Sequence, residues 1–226
     1  MSSRSASPSR PKWGDAVQGP DERHALKRRA LLQEAGRAFS RGGFANTSLD
    51  DVAAMLGVSK PALYYYFKSK HEILYECHKT ALDLGDQARD EAEVSGGNGL
   101  QRLHAFILRY VELLTGELGV CAVLTEHYAL RKPDRERIQA RRRGFDQYLQ
   151  TLIRDGMADG SIAECNPRLA VTLIMGAVNS IHAWYMPEGD LSGREIAEEL
   201  MLYVSDGLAG TTAQTVGRRP DAGETA

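Results

Sequence analysis

TSLDDVAAMLGVSKPALYYYFKSKHE, residues 47–72, is the stretch on which the fold of this chain turns. Thr47 or Ser48 can N-cap a first short helix, because a side-chain oxygen there satisfies an orphan N–H of the opening turn. Asp50 and Asp51 follow where a helix N-terminus favours negative charge. Leu49, Val52, Ala53 and Leu56 recur at helical spacing and give this helix one apolar face. Gly57 is placed to end it in the left-handed conformation. Ser59 is a second N-cap, and Pro61 falls in the first turn of the next helix, where no intrahelical N–H is lost. Ala62 to Phe67 complete that helix in barely two turns. Ser69 and Glu72 have the pattern of a capping box opening a further helix.

Two short helices joined by a tight turn with a glycine make a helix-turn-helix. The second helix of that motif enters the DNA major groove by its N-terminal end. Base-edge contacts are therefore expected from Ser59, Lys60, Ala62 and Tyr64, with Leu63 among the residues following them into the groove. Leu63 and Phe67 also lie four apart, a spacing that suits the face packed on the first helix. Phosphate contacts are expected from Thr47, Tyr65 and Lys70. The competing reading makes residues 64–67 core aromatics of an ordinary helical bundle and Lys60, Lys68 and Lys70 a solvated face.

Charge favours the DNA reading. The 226 residues carry a net charge of −2, but residues 23–80 hold ten Lys/Arg against five acids, leaving −7 on the rest. A basic module on an acidic body is the footprint of nucleic-acid recognition. The chain is long enough to bury a sizeable core. No apolar run reaches the ~18–20 residues of a membrane span, and the N-terminus has no apolar signal region. Cys77, Cys121 and Cys165 are scattered without a CxxC, which suits reduced thiols in a cytoplasmic protein.

Taken in order, residues 1–22 are rich in Ser, Pro and Arg without periodicity and read as a disordered tail. Within them Arg4, Arg10 and Lys12 read either as a minor-groove arm or as solvated charge. Leu26, Ala30, Leu31, Ala35, Ala38 and Phe39 mark a bracing helix over residues 23–41. Residues 71–93 form a helix long enough to join head to body, and VSGGNG, residues 94–99, breaks the chain. Five body helices are then expected, over about 99–115, 117–130, 133–159, 166–186 and 192–208. Asn166 caps the fourth, with Pro167 at its first position. Ser192 and Glu195 make a capping box for the fifth. No strand-like alternation is present, so the fold is all α. Residues 210–226 read as a loose tail.

The stretch LLQEAGRAFSRGGFANTSLDDVAAMLGVSKPALYYYFKSKHEIL, residues 31–74, resembles the DNA-binding domain of the TetR family of bacterial transcriptional regulators. GVSKPALYYYFKSK is its most diagnostic run, although Pro61 and Ala62 stand where many relatives carry Gly and Thr. The resemblance implies a helix-turn-helix DNA-binding domain over 23–70 and a ligand-binding and dimerisation domain over 71–209. It implies that the helix beginning near residue 71 transmits ligand binding to the head. It also accounts for the fourth body helix, apolar on most of its circumference and so in need of partners on several sides. In the family the last two helices pack against their symmetry mates, which assigns a homodimer interface to residues 166–186 and 192–209. A two-fold dimer predicts a palindromic double-stranded operator.

No catalytic constellation emerges, and neither cofactor nor metal is expected. The six histidines form no HExxH pair and none stands at zinc spacing from a cysteine. What remains is a ligand pocket in the body, lined by apolar and aromatic side chains with a few polar groups. Its candidates are Phe106, Tyr110, Leu113, Leu124, His127, Tyr128, Phe145, Tyr148, Leu152, Met175, Asn179, His182 and Trp184, each of which also fits plain core. Residues 153–189, ending in Trp184, Tyr185, Pro187 and Gly189, are similar to TetR-family regulators of lipid, sterol and acyl-CoA catabolism. An acyl-CoA thioester is the effector class this implies. Its phosphates would need cations, for which Arg141, Arg142 and Arg143 are candidates. A solvated helix face balanced by Asp134, Glu136 and Asp146 is the other reading of that patch. The sequence thus predicts a cytoplasmic, homodimeric, ligand-responsive repressor without enzyme activity. Its rival is a helical lipid or acyl-CoA binding protein with no regulatory role.

Overall fold

The computed structural model describes residues 20–117, 119 and 126–208. Among these the chain is helical without strands: α1 (Pro20–Gly42), α2 (Leu49–Met55), α3 (Lys60–Tyr66), α4 (Lys70–Ser95), α5 (Gly99–Thr115), α6 (Lys132–Asp159), α7 (Pro167–Trp184) and α8 (Gly193–Leu208). A 3₁₀ turn, His127–Ala129, precedes α6. The two expected tails lie outside the described residues, as do Arg4, Arg10 and Lys12. Residues 20–22 are the exception. They open α1, with Pro20 at its start and Asp21 and Glu22 in its first turn, where both residue types suit a helix N-terminus.

Helices α1 to α3 pack around one small core. Ser48, not Thr47, caps α2: its Oγ accepts from Asp51 N at 3.1 Å, and the Asp51 carboxylate accepts from Ser48 N at 2.8 Å. Gly57 ends that unit with φ +63°, which spares a side chain the left-handed conformation. Ser59 caps α3, accepting from Ala62 N, and Pro61 sits in its first turn. Leu31, Ala35, Phe39, Phe44, Val52, Leu63 and Phe67 meet Ile73, Leu74 and Cys77 of α4 in the core. Leu26, expected on the buried face of α1, is exposed. The core starts only at Leu31, and near the front of α1 the ring of His24 lies against Tyr65 and Tyr66 instead.

The body is built on α5, which packs against α4, α6, α7 and α8. Where α5 begins, Gly99 lies so close to Gly156 of α6 that a Cβ would fall 2.1 Å from a backbone nitrogen. Side-chain bridges reinforce the bundle: Arg102 to Asp155 at 2.6 Å and Arg109 to Glu91 at 2.7 Å. The capping box of Ser192 and Glu195 forms as expected, with bonds of 2.8 and 3.2 Å. The helix expected over residues 117–130 is not found in its described part. Residues 118 and 120–125 lie outside the described residues. Beyond them the chain runs through Glu126, at φ +45°, into the 3₁₀ turn.

Head and body are not separate cores. Leu130 and Ile138 of the body belong to the head cluster, and so does Leu82, three turns into α4. Glu126 accepts a hydrogen bond from Phe44 N at 2.7 Å, and Arg29 pairs with Glu117 at 3.0 Å. Helix α4, 26 residues and about 39 Å long at 1.5 Å per residue, carries head contacts at one end and body contacts at the other.

Candidate DNA-reading face and effector cavity

One exposed face of the head collects Ser59, Lys60, Tyr64 and Tyr65, with Ala62 half-buried among them. Tyr65 is 73% exposed, a position only a partner or solvent would explain for so large a ring. Lys60 Nζ pairs with Asp50 at 2.8 Å, and the hydrogen bond from this carboxylate holds the ammonium above its ordinary range. Docking on a phosphate or base edge would have to exchange that pair. Lys60 and Tyr64, with Ser48, Lys68, Ser69 and Lys70, border a depression of about 440 Å³. Lys70 Nζ sits 4.2 Å over the Phe44 ring and donates to Ala45 O at 3.3 Å. Burial pulls its pKa down. The N-terminus of α4 opens on the same depression, with Ser69 accepting from Glu72 N at 3.2 Å. Glu72 reaches back to Lys68 N at 2.8 Å rather than to Ser69 N.

Two residues assigned to DNA are corrected. Leu63 is 0% exposed and belongs to the head core, so it cannot reach a base. Its spacing from Phe67, not its place on α3, is what fixed its direction. Thr47 is 6% exposed, and its Oγ1 donates towards Ala38 O at 3.2 Å and Gly43 O at 2.9 Å. It fastens the end of α1 to the start of α2 and has no hydroxyl to spare for a phosphate.

In the body, α4, α5, α6 and α7 enclose a cavity of about 210 Å³ lined by His78, Ala81, Leu82, Tyr110, Arg142, Phe145, Asp146, Met175 and Asn179. Five expected effector contacts meet here: Tyr110, Arg142, Phe145, Met175 and Asn179. Gly85 gives Phe145 room on α4, since a Cβ there would lie 2.6 Å from its ring. Burial draws the Arg142 pKa below the usual guanidinium range and raises the Tyr110 hydroxyl.

The remaining expectations fall elsewhere. Phe106 stands behind the wall, fully buried and stacked on Tyr110 at 5.6 Å. Tyr148 packs its ring on Phe106 and sends its hydroxyl out to Glu93 at 2.8 Å. His127 is on the 3₁₀ turn outside the lining, and Tyr128 beside it is 69% exposed. His182 and Trp184 border a different groove of about 520 Å³ that also meets Arg37 and Arg41 of α1. Leu152 is core, Leu113 packs on the core's edge and Leu124 lies outside the described residues. The arginine run is split by the helix. Arg141 is bound to Asp83 and Asp86 of α4, Arg142 turns into the cavity and Arg143 faces out.

The sequence reading missed His78. It is 1% exposed, and neither ring nitrogen has a hydrogen-bond partner among the described residues. Burial, then the charge of Arg142, drives its pKa down to about 3. The available signal was its spacing: Leu74, His78 and Leu82 run i, i+4, i+8 along the buried face of α4, and a polar ring in such a row needs a partner.

A basic helix-turn-helix head whose core runs into a helical body with an internal cavity is the build of a DNA-binding regulator. Comparison supplies the family. The profile for bacterial regulatory proteins of the tetR family matches residues 31–77, and that for the tetracyclin repressor-like C-terminal domain matches residues 96–208. The chain belongs to the TetR family of transcriptional regulators and is not an enzyme. It is 27% identical over 185 residues to the uncharacterized HTH-type transcriptional regulator YhgD of Bacillus subtilis, covering 81% of this chain and 97% of that one. It is 24% identical to the HTH-type transcriptional repressor KstR2 of Mycolicibacterium smegmatis, covering 81% and 91%. The crystal structure of AibR with isovaleryl coenzyme A and operator DNA superposes with a TM-score of 0.66 at 25% identity, covering 77% of this chain and 96% of that one. Members of the family bind operator DNA as dimers, and no described helix is long and apolar enough to cross a membrane.

Proposed function

We propose that this protein is a cytoplasmic homodimeric repressor that holds a palindromic operator and leaves it when a small effector enters the body. The head is taken as residues 23–70 and the body as 71–209. Ser59, Lys60, Ala62 and Tyr64 read base edges, while Tyr65 and Lys70 hold phosphates. Dimerisation runs through residues 166–186 and 192–209. Supporting this, α7 buries Ala170, Val171, Ile174, Val178 and Ile181 in its own protomer yet leaves Leu173 75% exposed. Leu169, Gly176, Ala177, Ser180 and Trp184 share that outward side, and Leu202 and Tyr203 are exposed on α8. Such an apolar stripe with small residues at its centre lets two helices approach closely.

The observation that carries the effector reading is the position of the cavity. Its walls include Leu82 of α4, and α6 runs from Ile138 in the head core to Arg142 and Phe145 in the cavity. Filling the cavity therefore acts on the two helices on which the head is seated. An effector that fits only the head arrangement unable to span the operator drives release by its differential affinity. AibR was crystallised with isovaleryl coenzyme A, and a short acyl group of that kind suits a volume of about 210 Å³. The effector proposed here is hydrophobic or acyl-CoA-like, with its acyl end in this cavity.

The test is binding of the purified protein to its own upstream DNA across a salt series, with and without a panel of acyl thioesters. Tight binding whose log affinity falls linearly with log salt, relieved by one thioester, supports the repressor reading. Tight binding that no thioester relieves removes the acyl effector and keeps the regulator.

A further inference from the structure

His78 makes a demand that a plain acyl chain does not meet. It lines the cavity together with Ala81 and Tyr110, and all three are deeply buried. Arg142 and Asn179 are half-buried on the lining and Asp146 lies at the exposed rim. A hydrocarbon filling this space would leave both imidazole nitrogens unmet, at a cost. A cation would be repelled by Arg142. A neutral carbonyl would meet the imidazole N–H but gain little from the guanidinium's charge. An anionic oxygen pair gains from both, because charge-assisted bonds to a guanidinium are the strong ones.

Size narrows the choice. At about 30 Å³ for each water-sized group, 210 Å³ holds about seven such groups. The rest of the lining is Ala81, Leu82, Phe145, Met175 and Tyr110, whose hydroxyl donates to Ala81 O. Asp146 is the acid on the wall. Burial raises its carboxyl above the ordinary range while the nearby Arg142 opposes the shift, and it is the exposed residue of the lining.

We infer that the cavity takes a carboxylate-ended chain of about five carbons, with the carboxylate held by His78 and Arg142, Asn179 beside it, and the hydrocarbon against Phe145 and Met175. The inference rests on the effector reading above and specifies the group recognised there. Two sources share this chemistry: a free short-chain acid, and the far end of a carboxyacyl thioester.

The experiment is calorimetric titration of the full-length protein with isovalerate, glutarate and the neutral ketone 4-methyl-2-pentanone. Beside it, operator release is measured with isovaleryl- and glutaryl-coenzyme A. A carboxylate probe should bind at least tenfold more tightly than its counterpart without the carboxylate. Binding of the free acids identifies the first source, and response confined to the glutaryl thioester identifies the second. His78→Phe should weaken the responding carboxylate at least tenfold, and His78→Gln should recover part of that loss. The unliganded His78→Phe protein should melt no lower than wild type, since it removes a buried polar ring without partners. Equal or tighter binding of the ketone or the isovaleryl thioester overturns the inference and leaves the regulator standing. So does unweakened carboxylate binding by His78→Phe, or operator binding that no probe disturbs. A protein that binds no operator at all would sink the regulator reading and this inference with it.

Discussion

Helix α3 and the body cavity put their working residues on opposite sides of the water boundary. Helix α3, proposed to read the operator, is seven residues long, and Ser59, Lys60, Tyr64 and Tyr65 are neighbours in sequence and all exposed. The cavity draws its lining from four helices, between His78 and Asn179, and buries most of it, with Asp146 exposed. On α3, the proposed function is what the fold leaves over after packing. In the cavity, the proposed function is a defect in packing: a void and an imidazole with no hydrogen-bond partner among the described residues. The first kind of site can change residues without unfolding anything, and the second cannot be separated from stability.

The largest expected effect tests the boundary on α3 itself. Leu63→Ala removes a side chain that is fully buried between α1, α2 and α4. It should cost about 2–5 kcal/mol, seen in thermal unfolding, and operator binding should fail because the head is loosened. Tyr65→Ala, one turn edge away and exposed, should leave the melting temperature nearly unchanged. If Leu63→Ala melted like wild type and lost only operator binding, the division of α3 into a packed and a reading side would be wrong.

Lys60→Ala sharpens the reading side. The substitution frees Asp50, which now pairs with it, and leaves the core untouched. Affinity for the operator should fall about ten- to hundredfold, with selectivity over random DNA lost, as for a base-edge contact. A uniform loss on all sequences, with a shallower salt dependence, would move Lys60 from base edges to phosphates.

How much of this was legible beforehand obeys the same division. The caps, Gly57 and the apolar spacings of residues 47–72 are local, and the helices came out where local chemistry puts them. Five of the six long helices beyond α3 or before α2 were bounded within a few residues for that reason, and α1 was lengthened by the Pro20, Asp21 and Glu22 start. The failure near residue 117 is also physical. Glu126 takes a left-handed turn that its residue type does not announce, and a 3₁₀ turn follows it in the described part. The cavity was half legible. Tyr110, Phe145 and Asn179 could be named as lining, but Tyr148, with the same composition signal, points to Glu93 instead. Which aromatic faces a void depends on how α4, α5 and α6 cross, and spacing along one helix does not contain that.

The cavity's cost to stability predicts a pH dependence of intermediate size. Burial and the charge of Arg142 hold the folded His78 pKa at about 3, against 6.5 for the ordinary group. The unfolded chain therefore binds the extra proton between these values, and stability falls as pH drops through 6.5 towards 3. Between pH 7 and pH 5 this one group should remove about 2 kcal/mol, at 1.36 kcal/mol per pKa unit. His78→Phe should flatten the wild-type curve by that amount over that window, measured by denaturant unfolding at each pH. Parallel curves for the two proteins would mean that the imidazole is hydrated or bonded in solution and that the cavity is less dry than its lining implies.

The smallest effect separates contact from support at the edge of the reading face. Thr47 borders the same depression as Lys60 and Lys70, so its position alone would place it on a phosphate. Its hydroxyl is instead turned to Ala38 O and Gly43 O, and its side chain is out of water. Thr47→Val keeps the shape and removes those bonds, which should cost about 1 kcal/mol of stability. The salt dependence of operator binding should stay the same, because no phosphate contact is lost. Thr47→Ser, which keeps the hydroxyl, should lose less. If Thr47→Val instead lowered the salt slope by about one phosphate at unchanged stability, the hydroxyl would have to rotate outwards on DNA, and the packed side of the head would extend one residue less than the structure places it.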